Sequence, residues 1–305
     1  MLLEKEMTDD LVSVIVISYN SVDTIIETLN SVRCQNYGNI ELIVSDDCSK
    51  DNTVSVAQQW LEINGDVFNG GFRLLISHER KGVCSNLNKA ISNSKGIWIK
   101  IIAADDILLP NCCSDYVAYV TNHPGSHFVT SYESQYLNTF EEKNCIRKQY
   151  AVRDLSIFEK SPEIQLREMA YKIFVMAPTM FFSRSLFDNV TGFDENFIYE
   201  DHPFYLKILE KKYKVYFMPS ISVAYRIHDS SFNSNKKLFN YLFSRESKRF
   251  RHLKCWKYYN MRRKIAVNAY YKMLDVMEYL RLNKKTKTSS LIFRYVSSTI
   301  WKLGE

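Results

Sequence analysis

Hydrophobic and polar positions fall into regular blocks along the first third of the chain. LVSVIVISYN, residues 11–20, is a β-branched run ending on polar residues and predicts a buried strand. SVDTIIETLNSVRCQ then sets Ile25, Ile26, Leu29 and Val32 at helical spacing. IELIVSDDCSKDNT (40–53) is again apolar, then acidic, then a polar turn able to cap the helix VSVAQQWLEIN. FRLLISHE predicts a third strand, VCSNLNKAISNSK a third helix and GIWIKIIAADD a fourth strand. Strands alternating with helices predict an α/β fold, with a mostly parallel central sheet and helices on both faces. Right-handed crossovers gather the strand ends on one edge, where ligands bind in such sheets. That edge collects Tyr19 and Asn20, Asp46 and Asp47, and Asp105 and Asp106.

Two strands therefore deliver a double aspartate to one rim. A buried carboxylate costs several kcal/mol unless something pairs with it, and ILLPNCCSDYV, directly after Asp106, holds no Lys or Arg. One helix cap would explain one aspartate; two pairs on one rim favour a ligand. Carboxylate-rich sites suit Mg²⁺ or Mn²⁺ held together with substrate phosphates.

The second half is more mixed. Residues 176–231 read as strand, short helix, acid-bearing loop, helix and strand, with Glu200 and Asp201 opening the second helix. Acids in a first helical turn are stabilising whatever the function. His228, in YRIHDSS, taken alone reads as a surface histidine before a ligand. From Lys236 onward, 18 Lys and Arg face 4 Asp and Glu, a net of +14, leaving −8 on the rest of a chain whose total is +6. The shift places a domain boundary near residue 235: an α/β domain over 1–235 and a helical basic extension over 236–305. Such an extension can meet nucleic acid, anionic lipid or a phosphorylated substrate.

Composition narrows the classes. Seven cysteines without a CxxC pair argue against a disulfide framework or zinc site and for reduced thiols. The acidic start MLLEKEMTDD is unlike a signal peptide, and no apolar run reaches the ~20 residues of a membrane span. Neither GxxxxGK[ST] nor GxGxxG occurs, so the two common routes to ATP and NAD are unsupported.

Read in order, three blocks resemble the inverting family-2 glycosyltransferases of GT-A fold. They are VSVIVISYNSVDTIIETLNSVRCQNYGNIELIVSDDCSKDNT, GVCSNLNKAISNSKGIWIKIIAADDILLP and GFDENFIYEDHPFYLKILEKKYKVYFMPSISVAYRIHDSS, covering roughly residues 11–235. The resemblance implies a nucleotide site with Tyr19 against the base and Asp46 or Asp47 bonding the base or ribose. Arg80 and Lys81 would touch the nucleotide, and His228 would approach the diphosphate or metal. The family's DxD falls on Ala103, Ala104 and Asp105, so its first aspartate is absent. Asp105 is then the implied metal ligand for Mn²⁺ or Mg²⁺, with Asp106 as second carboxylate or as the group that orients the first. Asp201 lands on the family's base, with Glu200 positioning substrate. Together these imply hexose transfer from a nucleotide diphosphate sugar, by family frequency a UDP-sugar, to a lipid-diphosphate-linked glycan of a bacterial surface polysaccharide. The expected location is cytoplasmic, peripheral to the inner membrane through the basic extension. Two other classes are kept for comparison. A sugar nucleotidyltransferase would show a glycine- and basic-rich loop after the first strand, which SYNSVDT lacks; a nucleic-acid-binding protein would explain the extension alone.

Overall fold

The computed structural model describes residues 9–152, 154–227 and 237–305. β1 (Val12–Ser18), α1 (Ile25–Arg33), β2 (Ile40–Asp46), α2 (Thr53–Asn64), β3 (Phe72–Ile76), α3 (Val83–Ser92) and β4 (Trp98–Ala103) follow one another as the pattern predicts. β1 pairs in parallel with β2 and with β4, and β2 with β3. Ser18 stands opposite Asp46 and Ile17 opposite Ala103, so three strands run out at one level. One face of this half packs Val14, Val16, Leu42 and Val44 against Leu29 of α1 and Trp60 of α2. Ile15 and Ile43, facing the other way, are also fully buried, and α3 covers β1 and β2. Burial on both faces is why these strands read as unbroken apolar runs.

The rest of the sheet is antiparallel. β5 (Ile107–Leu108), α4 (Cys112–Asn122), β6 (Phe128–Leu137), β7 (Cys145–Tyr150) and α5 (Pro162–Tyr171) lie in a stretch whose sequence gives no clean period. They are followed by β8 (Phe181–Ser183), α6 (Arg184–Asn189), α7 (Asp201–Glu210) and β9 (Tyr216–Ile227). Among the described residues the order is β3-β2-β1-β4-β8-β6-β9-β5, with β7 paired to β6. β8 runs antiparallel to β4, and β5 antiparallel to β9. Lys100 of β4 is fully buried, its Nζ donating to the carbonyls of Ile101 at 2.8 Å and Pro178 at 2.5 Å. Burial lowers its pKa; the carbonyls are what make an ammonium tolerable in this core.

The chain divides into two compact units, 1–165 with 174–226 and 166–173 with 227–305. In the second, α8 (Tyr241–Phe250) runs on through a π turn, Arg251–Cys255, and a 3-10 turn, Trp256–Tyr258. α9 (Met261–Tyr279) and α10 (Lys287–Lys302) follow. Asn240, Asn260 and Thr286 cap the three α-helices with side-chain oxygens. Buried Arg251 donates to the carbonyls of Ala170 and Tyr171 at 3.0 and 2.9 Å. Among the described residues no helix is long and apolar enough to cross a membrane.

Candidate functional site

The first part of the rim is built by short polar side chains at the ends of β1 and β2. Buried Asp46 accepts from Ser18 Oγ at 2.9 Å, from Ser49 Oγ at 2.5 Å and from the Ser49 amide at 2.7 Å. Asn20 and Cys48 take left-handed backbone conformations, φ 52° and 66°. Asn20 Oδ1 accepts from the Lys50 amide, while its own amide donates to Ser49 Oγ, both at 2.8 Å. These bonds hold two turns side by side at the strand ends.

Asp47 spends both carboxylate oxygens on the amides of Lys81 and Gly82, each at 2.9 Å. That clamp sets the turn before α3, where Gly82 has φ 90°. It also presents Arg80, whose guanidinium lies 3.9 Å above the Tyr19 ring. The Lys81 ammonium turns outward to Glu79 at 3.0 Å. Asp46 and Asp47, expected at the base or ribose, fix the turns beside Tyr19 and Arg80, which form an accessible planar pair. A cavity of about 390 Å³ opens beside Asp47 between β3 and α3, lined in part by Ser77, Lys81 and Lys89.

The second part follows β4. Asp105 is partly exposed and Asp106 is buried, 2 % accessible. Asp106 Oδ1 accepts the Arg226 amide at 2.8 Å, and the Asp105 carbonyl accepts Arg226 Nε at 2.7 Å. Arg226 also reaches Glu27 and the Asn138 carbonyl, and stacks over Phe140 at 4.2 Å. Thr24 and Thr28 donate to the carbonyls of Ala104 and Asp106, both at 2.7 Å. The partner that the local sequence withholds therefore comes from a residue 120 positions on. Burial, with the neighbouring Asp105 charge next, pushes the Asp106 carboxyl well above the usual range. An inward, hydrogen-bonded Asp106 fits the role of orienting Asp105 better than that of a second ligand.

The third part is the start of α7. Glu200 precedes the helix and Asp201 opens it, with Asp201 Oδ1 accepting the His202 amide at 2.6 Å. Crowding by protein raises both carboxyls, Glu200 to about 7, where the Asp201 charge adds to burial. The preceding loop is fixed by Asn88 of α3. Its Nδ2 donates to the Phe193 carbonyl at 3.0 Å and to Glu195 at 2.8 Å, and its Oδ1 accepts the Phe193 amide at 2.9 Å. Gly192 has φ 65°, and a Cβ there would sit 2.7 Å from Asn88 Oδ1, so glycine is required twice over.

Electrostatic coupling ties these parts together. The Tyr225 phenol of β9 is pushed up by burial, then by Asp106, Asp105, Glu133 and Glu200. Tyr205 of α7 is raised by burial, then by Asp201, Glu200 and Glu133. The two acid pairs thus share one cluster with Glu133 of β6. Arg226, Asn88 and Glu133 have no role in the sequence reading; a single arginine inside the apolar SVAYRI is the one local signal for the first. His228 lies outside the described residues.

No group of three or more His, Cys, Asp or Glu side chains converges as a metal site among the described residues. One partly exposed carboxylate, Asp105, fits an ion that brings diphosphate oxygens as its other ligands.

Residues 13–191 match the family described as Glycosyl transferase family 2. Over 230 residues, 74 % of this chain and 81 % of the other, the chain is 27 % identical to WfaP of Escherichia coli. WfaP is described as a UDP-Glc:alpha-D-GlcNAc-diphosphoundecaprenol beta-1,3-glucosyltransferase. A GalNAc(5)-diNAcBac-PP-undecaprenol beta-1,3-glucosyltransferase of Campylobacter jejuni is 25 % identical over 304 residues, 93 % of this chain and 92 % of that one. Among solved structures, the mannosyltransferase PcManGT of Pyrobaculum calidifontis, in complex with GDP-Man and Mn²⁺, superposes with a TM-score of 0.58. It covers 97 % of this chain and 86 % of its own at 18 % identity, a likeness of fold.

Proposed function

The chain belongs to glycosyl transferase family 2, and on that premise we propose that it moves a hexose from a UDP-sugar to a hydroxyl of a lipid-diphosphate-linked glycan. The product is an intermediate of a bacterial surface polysaccharide. The observation that carries this reading is that Asp105 and Asp106, just after β4, and Glu200, beside Asp201, all bear on the buried Tyr225 phenol. The diphosphoundecaprenol substrates named for WfaP and the Campylobacter enzyme support the lipid diphosphate acceptor.

Each residue then has a task. The Tyr19–Arg80 pair stacks and charges the nucleobase end of the donor. Asp105 would hold a divalent ion, Mn²⁺ or Mg²⁺, which when bound neutralises charge on the leaving diphosphate. Asp106, anchored on Arg226, keeps Asp105 turned outward. Asp201 takes the proton from the acceptor hydroxyl as that oxygen bonds to the anomeric carbon and the bond to the nucleotide diphosphate breaks. One displacement with one base inverts the anomeric centre. Glu200 positions the acceptor, and burial keeps Asp201 more basic than a free carboxylate. A lipid-linked acceptor supports peripheral attachment to a membrane, with the basic extension 236–305 as the attaching part.

The test is a screen of UDP-hexoses with Mn²⁺ or Mg²⁺ and an undecaprenyl-diphosphate GlcNAc acceptor, read by product mass and anomeric configuration. Transfer with inversion is expected. Asp201→Asn should lower kcat ~10²–10⁴-fold with donor affinity kept, and retention of configuration or near-normal kcat in that variant overturns the assignment.

A further inference from the structure

We propose that the outer face of α10 is an interfacial helix that lies on an anionic lipid surface. The proposal rests on the lipid-linked acceptor above and concerns the second compact unit alone. Leu291, Ile292, Tyr295 and Val296 are 54, 59, 75 and 37 % exposed. Spaced three and four apart, they make one stripe along two helical turns. The other side of α10 is already engaged. Phe293 stacks on Phe239 at 5.7 Å between ring centres, and Trp301 packs on Tyr171 and Tyr270 at 5.0 and 5.1 Å. The stripe is thus left outward by a helix whose inner face is spent.

Charge identifies what covers it. From Lys284 to Lys302 the segment carries Lys284, Lys285, Lys287, Arg294 and Lys302 and no Asp or Glu. A second copy docked face to face would set these cations against their own kind. An anionic headgroup layer takes both components, the cations at the phosphates and the apolar stripe at the acyl boundary. Tyr295 is the residue type that favours such an interface. Thr286 and Ser289 form a reciprocal capping box at the helix start, so α10 is a formed helix before it meets lipid.

The test uses the full chain and vesicles of phosphatidylcholine with or without about one-third phosphatidylglycerol. Wild type should sediment with the anionic vesicles alone and be released by high salt. Ile292→Glu with Tyr295→Glu should lower the partition coefficient at least ~10-fold, and Lys284→Gln with Lys285→Gln and Lys287→Gln roughly 100-fold. Because these positions are exposed, both variants should keep the wild-type melting temperature. If wild type binds and both variants bind equally well, α10 is not the surface. If wild type ignores anionic vesicles, membrane attachment falls as well. A dimer that Ile292→Glu splits would make a second copy the occupant and overturn the proposal. Transfer to a short-chain acceptor in detergent needs no bilayer, so it reports on the proposed function separately.

Discussion

Glu133 shows how much a single buried group can report. It is 2 % exposed, one oxygen accepting from Gln135 at 2.8 Å and the other without a hydrogen-bond partner among the described residues. Burial pushes its carboxyl from 4.5 up to about 7. The folded state then holds the proton more tightly than the unfolded chain. Stability from this group is complete below pH 4.5 and is lost as pH rises through about 7. Glu133→Gln keeps the acceptor for Gln135 and removes the ionisation. The variant should be more stable than wild type by about 3 kcal/mol at pH 8, with the gap closing towards pH 4.5. Urea titrations across that range decide it, and a gap independent of pH would rule the account out. At this scale the sequence reading reached the two acid pairs, because acids ending an apolar run or opening a helix are visible locally. It could not reach Arg226, whose bonds to residues 106 and 105 cross 120 and 121 positions, nor Asn88, whose three bonds lie 105 to 107 positions away.

Among the elements, the parallel half was legible because both faces of each strand are buried and the helices between them keep their spacing. β6 was not. Its Thr130, Ser131, Glu133, Ser134 and Gln135 are polar and buried, so neither alternation nor an apolar run marks it. Their partners come from other elements: Ser131 meets Ser222 at 2.6 Å and Thr130 meets Thr179 at 2.5 Å. The loop before α7 obeys the same logic, since its order depends on α3. Asn88→Ala removes the amide that holds Phe193 and Glu195 and should loosen the run into Glu200 and Asp201. A displacement of about 1 Å at a catalytic group costs ~10²-fold, so kcat should fall by roughly that factor. The KM for the donor should stay, because Tyr19 and Arg80 do not depend on this loop. Loss of the bonds should also lower stability by about 1–3 kcal/mol. Kinetics at saturating acceptor with a parallel melt separate the two effects. An unchanged kcat would mean that the acid pair is held without Asn88.

At the scale of the whole chain, charge and folding divide the sequence at different places. The composition shift near residue 235 marks the start of the basic extension, but the second compact unit also includes residues 166–173. Met169, Ala170 and Tyr171 are at most 1 % exposed. Tyr171 lies edge-on to Tyr259 at 5.9 Å between ring centres and donates its hydroxyl to the Trp301 carbonyl at 2.6 Å. Tyr259 Oη and Arg251 both donate to the Ala170 carbonyl, at 2.5 and 3.0 Å. These contacts make the extension part of the fold of α5's last turns, whatever else its charge does. A chain ending at residue 235 would keep Met169 and Tyr171 and lose Tyr259, Arg263 and Trp301, which pack on the Tyr171 ring. Exposing a large apolar side chain costs about 1.5–3 kcal/mol, and each carbonyl stripped of a buried partner adds about 1 kcal/mol. We therefore expect the 1–235 chain to melt on the order of 10 °C below the full chain and to aggregate at concentrations the full chain tolerates. Met169→Gln with Tyr171→Gln in the short chain should restore part of its solubility, because the exposed surface is then polar. The same pair in the full chain should destabilise it, since it buries unpartnered amides. Opposite signs in the two backgrounds, read by melting and light scattering, are the required result. If the short chain melts with the full one, residues 166–173 do not need the extension, and its contribution is confined to the surface.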